Sequence, residues 1–154
     1  LNEILDFSKI EAGRVELEVQ AFRLATCVKD AVDLFTGAAQ NKHLQLTLTL
    51  SEDLPAGVVG DPTRLRQVLT NLVGNAIKFT ERGGVHVRVS PSGAPAPEGS
   101  VAVLFEVRDT GVGIADAQRE RLFAPFAQAH ESTTRLYGGT GLGLSIAKHL
   151  VEIM

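Results

Sequence analysis

Apolar residues open the chain at spacings of three and four. Leu1, Ile4 and Leu5, with Ser8 on the same line, predict a helix from Leu1 to Ala12 that Gly13 stops. A helix of about 12 residues is marginal alone, and no cap residue precedes Leu1, so the segment reads as the end of a longer bundle or coiled-coil helix. Val15, Leu17 and Val19 then alternate with polar residues and predict a short strand. Leu24, Val28, Ala31, Val32 and Phe35 fall on one helical face up to Gln40. Leu44, Leu46, Leu48 and Leu50 form a period-2 strand. Asp61-Pro62 supplies a carboxylate cap and a proline at the first helical position. The helix it starts should run to Lys78 or Phe79 and end near Gly83-Gly84. Val85, Val87 and Val89 predict a further strand, and Val101, Val103, Phe105 and Val107 another, joined by a Pro/Gly/Ala-rich loop from Ser90 to Ser100. Beyond Asp109 the pattern gives a glycine turn, a short helix around Ala117 to Leu122 and a polar, glycine-rich stretch from Ala124 to Gly143. A last helix runs from Leu142 to Met154. The alternation predicts an α/β chain, a sheet covered by helices on one face.

The helix after Asp61 carries polar groups in a line. At about 100° per residue, Arg64, Gln67, Asn71, Asn75 and Lys78 fall within an arc of about 80°. Leu65, Val68, Leu69, Leu72, Val73 and Ala76 fill the adjoining arc and are expected to face the sheet. Asn is a poorer helix former than the Glu and Lys of ordinary solvent faces, so two interior asparagines call for a reason. An Asn amide oxygen is a hard, neutral ligand that Mg²⁺ accepts when phosphates supply the charge, and Lys78 one turn on could reach a phosphate as a point charge. The alternative is that Asn71 and Asn75 cap neighbouring loops and Lys78 is solvated.

Two glycine-rich turns follow. Asp109-Thr110-Gly111-Val112-Gly113-Ile114 places a carboxylate at a strand end, over a turn where backbone can approach a ligand closely. A carboxylate only accepts hydrogen bonds and so suits the exocyclic amine of adenine, although many tight turns share this pattern. Gly138-Gly139-Thr140-Gly141-Leu142-Gly143-Leu144-Ser145 leads directly into the last helix, a design that exposes helix N–H groups to an anion. It is not a Walker A loop, which requires a Lys where Ser145 stands, and it does not follow a strand as a dinucleotide fingerprint does. A flexible loop with a helix cap is the competing reading. Between the turns, Gln128 to Tyr137 is too long for an ordinary connection and reads as a lid, with Arg135 its one cation.

Composition narrows the choice. The chain has 154 residues, one domain's worth, and 44% of them are hydrophobic. Fifteen Lys and Arg against 18 Asp and Glu give a net charge of −3, which offers no general case for nucleic acid or an anionic membrane. A single cysteine, Cys27, excludes an internal disulfide framework and a multi-cysteine metal site. No apolar run approaches the ~20 residues of a membrane span, and no basic-then-apolar leader opens the chain. Aromatics are 5% with no Trp, so a base-stacking surface is not expected.

Taken together, these stretches resemble the ATP-binding catalytic domain of sensor histidine kinases, the hybrid type especially, within the gyrase/chaperone/histidine-kinase ATPase superfamily. Asp61 to Thr80 is similar to the family's N box, Asp109 to Ile114 to its G1 box, Leu122-Phe123-Ala124-Pro125-Phe126 to its F box, and Gly139 to Leu144 to its G2 box, in the family's order. Leu1 to Gly13 resembles the end of the second helix of the dimerisation domain. The resemblance implies a two-layer α/β sandwich over residues 14–154, a mixed sheet covered by three helices on one face, preceded at 1–13 by the tail of the dimerisation helix. It also implies that the family's final hairpin is missing and the chain is a fragment. By matching position, Asn75 would hold Mg²⁺, Asn71 and Lys78 would contact phosphates, and Asp109 the adenine amine. Gly111, Gly113 and Ile114 would wall the adenine pocket with Phe79 and Phe126 nearby. Gly139, Thr140, Gly141, Leu142, Gly143 and Leu144 would line the triphosphate channel.

The implied activity is transfer of the ATP γ-phosphate to a histidine of the dimerisation domain, upstream of Leu1, in two-component phosphorelay signalling. ATP and Mg²⁺ are the implied cofactors, and the implied partners are the upstream bundle of a homodimer and a receiver domain or response regulator. Neither nucleic acid nor membrane contact is implied, and the placement is cytoplasmic whether or not the parent protein is anchored. His130-Glu131-Ser132-Thr133-Thr134 mimics an acceptor motif but falls in the lid, while His43, His86 and His149 read as structural or solvated. Gly74 stands where the family commonly has Asn, and Gln128 where many relatives carry a lid Arg, which makes Arg135 the favoured phosphate contact. Two rival functions remain. A water-activating ATPase of the superfamily carries a Glu base one turn before the Mg-binding Asn, where this chain has Asn71. A degenerate module would bind partners and not ATP.

Overall fold

The structure is a computed structural model and describes residues 2–119, 121–126 and 140–154. A short helix, α1 (Asn2–Glu11), leads into β1 (Gln20–Phe22), then α2 (Leu24–Asp33), α3 (Thr36–Asn41) and β2 (Gln45–Leu50). β3 (Val58–Gly60) and the long α4 (Pro62–Phe79) follow, then β4 (Gly84–Pro91) and β5 (Val103–Asp109). The one-turn α5 (Asp116–Arg119) and the last helix, α6 (Gly143–Ile153), complete the order.

The strands form a mixed sheet in the order β2-β4-β5, with a two-stranded β1-β3 pair beside it. β2 runs parallel to β4, with Leu46 opposite Val85 and Leu48 opposite Val87, so the chain must cross over between them; β3 and α4 make that crossover. β4 and β5 form an antiparallel hairpin in which Val87 faces Val107 and Val85 faces Asp109. Period-2 patterning does the sorting: Val85, Val87 and Val89 are buried under the helices, while His86 and Arg88 between them face solvent.

Two apolar clusters hold the layers. The larger joins α2 (Cys27, Val28, Ala31, Val32), α4 (Leu65, Leu69, Val73, Ala76, Ile77) and the inward valines of β4. The second joins Val68 of α4 to Leu142, Ile146, Ala147 and Leu150, with Phe7 and Ile10 of α1 and Leu72 packed against it. α4 therefore has two apolar faces, one on the sheet and one on α6. Val68 and Leu72, expected to face the sheet, belong to the α6 side. Asp6 fastens α1 to the same helix: Gln67 Nε2 donates to its Oδ2 at 2.8 Å, and Arg64 Nη1 lies 3.7 Å from its Oδ1. Arg64 and Gln67, the first two members of the polar line, thus hold α1.

Several elements differ from the sequence expectation, each for a local reason. The strand pattern at Val15 to Val19 forms no strand; pairing begins at Gln20, opposite Gly60 of β3. β3 itself is only three residues long and carries no readable alternation. The helix expected to continue to Gln40 breaks at Leu34 and Phe35, just before the poor helix formers Thr36 and Gly37. Phe35 turns inward there, and a Cβ on Gly74 would stand 3.3 Å from its ring. The missing side chain at position 74 is what lets that ring sit against α4. The helix expected at Ala117 to Leu122 is four residues of helix followed by turns.

Asp61 anchors the start of α4. Its Oδ1 accepts from Thr63 N at 2.9 Å and Arg64 N at 3.0 Å, and its Oδ2 from Glu18 N at 2.9 Å. Asp61→Ala removes all three hydrogen bonds and is expected to lower unfolding free energy by about 1–3 kcal/mol, read from urea denaturation. Burial raises the pKa of the Cys27 thiol above its ordinary 9.0; Arg66 opposes this and Asp30 adds to it. The native state therefore keeps a proton that the unfolded chain releases, so this contribution to stability is full below pH 9.0 and is lost as pH rises beyond it. At pH 8, Cys27 is expected to react with a disulfide reagent at least about 100-fold more slowly in the native than in the urea-unfolded chain.

Candidate nucleotide-binding site

The polar line on α4 borders the face that packs on α6, so the turn entering α6 comes to lie beside it. Asn71 Nδ2 donates to Gly143 O at 3.0 Å. A Cβ on Gly143 would approach Asn71 Oδ1 to 3.3 Å, which explains a glycine there. Two turns further along, Phe79 O receives Val112 N at 3.4 Å. A Cβ on Gly111 would stand 2.5 Å from that same carbonyl, closer than any side chain tolerates. One helix thus clips both glycine turns, about 12 Å apart along its axis, with Asn75 midway.

Each clip has its own support. Asp109, exposed at the end of β5, accepts from Gly111 N at 2.9 Å through Oδ1, which shapes the first turn and leaves its other oxygen available. Thr110 Oγ1 donates to Arg82 O at 2.8 Å and accepts from Gly84 N at 3.0 Å, which ties the turn to the start of β4. At the second turn, Gly141 has φ 71°, a left-handed conformation that favours glycine. α6 begins with Leu142 as its N-cap, with no side-chain cap and no acidic residue in its first turn. Among the described residues no side-chain cap covers the positive end of that helix, which favours an anion. Asn75 is half-buried, and no hydrogen bond reaches its amide among the described residues.

The family model for the histidine kinase-, DNA gyrase B-, and HSP90-like ATPases matches residues 60–154, more than half of the chain. The chain belongs to this ATPase family. Over all 154 of its residues it is 45% identical to signal transduction histidine-protein kinase BarA of Escherichia coli K12, of which it covers 17%. It is also 45% identical to sensor histidine kinase GacS of Pseudomonas protegens, again over 17% of that protein. The chain thus spans under a fifth of these relatives. Full-length ShkA, solved in complex with AMPPNP, matches 99% of this chain with 30% of its own, at TM-score 0.82 and 35% identity. The catalytic domain of histidine kinase ThkA matches 90% of this chain with 82% of its own, at TM-score 0.66 and 29% identity.

Asn71 lies against Gly143, and Phe79 against Gly111, whose turn Asp109 shapes, while Asn75 stands on α4 between the two contacts. Lys78, half-buried one turn past Asn75, has its ammonium 5.0 Å from the Phe79 ring centre. Leu142 is fully buried in the second core. Phe126 lies edge-on to Phe7 of α1 at 5.7 Å and, at φ 59°, in a left-handed turn, so its contact is with the first helix. Thr140, Gly113 and Ile114 lie at the exposed margin of the two turns. Arg135, Gly139, the lid from Gln128 to Tyr137 and His130 fall outside the described residues. The sequence reading missed Thr110 as the turn's second anchor; its position between Asp109 and Gly111 carries no periodic signal.

A hydrogen bond to a charged carboxylate contributes about 1.5–3 kcal/mol, and Asp109 would offer one to an adenine amine. Asp109→Asn is therefore expected to weaken ADP binding by roughly 10- to 100-fold in calorimetry, with the unfolding midpoint little changed.

Proposed function

We propose that this domain binds Mg–ATP and presents the γ-phosphate to a histidine on an upstream dimerisation bundle, for phosphorelay to a receiver domain or response regulator. The observation that carries the reading is the clipping of both glycine turns to α4 on either side of Asn75. In this reading, residues 1–13 are the end of the bundle helix of a homodimer, residues 14–154 are the ATP-binding catalytic domain, and the domain works in the cytoplasm.

The residues fit the cofactor. Among the described residues there is no cluster of three or more His, Cys, Asp or Glu. A neutral amide beside a triphosphate is the kind of ligand set Mg²⁺ takes, and Asn75 supplies it. Bound there, the ion would neutralise charge on the phosphates. Asp109 selects the adenine amine, while Gly111 lets backbone approach the base. The open N-terminus of α6 and the glycine turn before it hold the phosphates, helped by Asn71, Lys78 and a lid cation, with Arg135 preferred. The acceptor histidine nitrogen forms a bond to the γ-phosphorus as the bond to the β–γ bridging oxygen breaks, and ADP leaves. The domain's contribution is positioning and charge neutralisation.

The water-activating alternative needs a base near the γ-phosphate. Position 71, where such a base would stand, holds an amide whose nitrogen is committed to Gly143 O at 3.0 Å. That favours transfer over hydrolysis.

With radiolabelled ATP and Mg²⁺, the isolated chain is expected to bind nucleotide and remain unlabelled, with negligible steady-state phosphate release. Joined to a bundle carrying its histidine, it should acquire acid-labile label, and Asn75→Ala should reduce that label at least about 100-fold. Labelling of His43, His86, His130 or His149 in the isolated chain would overturn the proposal, and robust phosphate release would favour the hydrolase.

A further inference from the structure

The last turn of α4 does three things for the site: it carries Lys78, it carries Phe79, and it offers the carbonyl that holds the Gly111–Val112 turn. A helix C-terminus leaves its final carbonyls without intrahelical donors. α4 ends without a left-handed cap, since Thr80 is extended at φ −99° and ψ 124°. One ammonium takes up the loose ends. Lys42 Nζ donates to Ile77 O at 2.9 Å, to Lys78 O at 2.9 Å and to Thr80 O at 3.2 Å. Its charge lies at the negative end of the helix dipole. Phe79 O, the carbonyl between these three, is the one left for Val112 N and pressed by Gly111.

Lys42 is itself held firmly, from a different part of the chain. It caps α3, its N–H bonding Ala39 O at 3.1 Å, and His43 beyond it takes the left-handed conformation, φ 56°, that closes that helix. His43 N and Leu44 N then bond Gln40 O and Ala39 O, both at 2.9 Å. The side chain is half-buried between the two helix ends.

We propose that Lys42 is a positioning residue for the adenine end of the site. It gathers the carbonyls around Phe79, so that Phe79 O points at the Gly111–Val112 turn and sets Asp109 in its binding geometry. The proposal rests on the nucleotide reading above. Lys42 touches no ligand itself; it acts through α4.

The test uses the 154-residue chain, ADP calorimetry and the backbone amide resonances of Gly111 and Val112. Lys42→Met keeps the aliphatic stem and removes the donors and charge. It is expected to weaken ADP binding roughly five- to ten-fold and to displace both resonances in the folded, ligand-free chain. Lys42→Arg keeps charge and donors and is expected to hold affinity within about three-fold of the parent. Should Lys42→Met not fold, Lys42→Gln, uncharged but still a donor, is read in the same way. Unchanged ADP affinity in a folded Met or Gln variant would overturn the proposal. So would lost stability with the Gly111 and Val112 resonances unmoved, which would make Lys42 a stabilising cap and nothing more. Asp109→Asn is run alongside. If it too binds ADP as the parent does, the nucleotide reading fails, and Lys42 is not at fault.

Discussion

The burial of α4 on two sides governs the rest of the molecule. Leu65, Leu69, Val73, Ala76 and Ile77 press on the sheet and α2, while Val68 and Leu72 press on α6. The polar line forms a strip along α4 beside the second of these faces. Because the strip borders the α6 contact, the chain entering α6 must pass beside it, where Asn71 meets Gly143. Because the helix ends over β5, the turn after Asp109 must pass its last carbonyls. The site is therefore a consequence of packing: remove the second apolar face, and nothing would bring a glycine turn to Asn71.

The hydrogen bonds that tie the two turns and Lys42 to α4 all end on a backbone carbonyl. Phe79 O meets Val112 N, Gly143 O meets the Asn71 side chain, and Lys42 binds the carbonyls of residues 77, 78 and 80. Close backbone approach explains where glycine is required. At Gly111 a Cβ would collide with a carbonyl that cannot move without unwinding the end of α4. At Gly74 the same absence serves a different purpose, since it admits the ring of Phe35 and seats the α2–α3 break against α4. A departure from the family's common Asn thus reads as a packing solution, with no direct part in phosphate binding.

What could be read from the sequence follows from how local each signal is. α4 was legible end to end: Asp61-Pro62 marks its start, its apolar positions keep the helical period, and the polar line stands out because Asn is unusual there. β4 was legible from three alternating valines. By contrast, nothing local separates Val15 to Val19, which alternates but finds no partner, from Gln20 to Phe22, which pairs with a three-residue strand nearly 40 residues on. Pairing partners decide strands, and a period cannot name them. The division of α4's apolar arc between sheet and α6 was hidden for a similar reason, because both faces are equally apolar. Lys42 was hidden most completely. A lone lysine at the end of a short helix looks solvated until the carbonyls of residues 77, 78 and 80 are seen within its reach.

The amide at position 71 brings packing and chemistry into a single choice. An Asn side chain can donate and accept at once, so its nitrogen holds Gly143 O while its oxygen stays beside the entry to α6. An ionised carboxylate in its place would have no proton to give and would face the Gly143 carbonyl with like-signed charge. A base at this position therefore requires the turn before α6 to be attached in some other way. In this chain the attachment is made through the amide, which holds the glycine turn against the helix. Under the proposed transfer no base is needed at position 71, because the nucleophile, a histidine imidazole, arrives already basic.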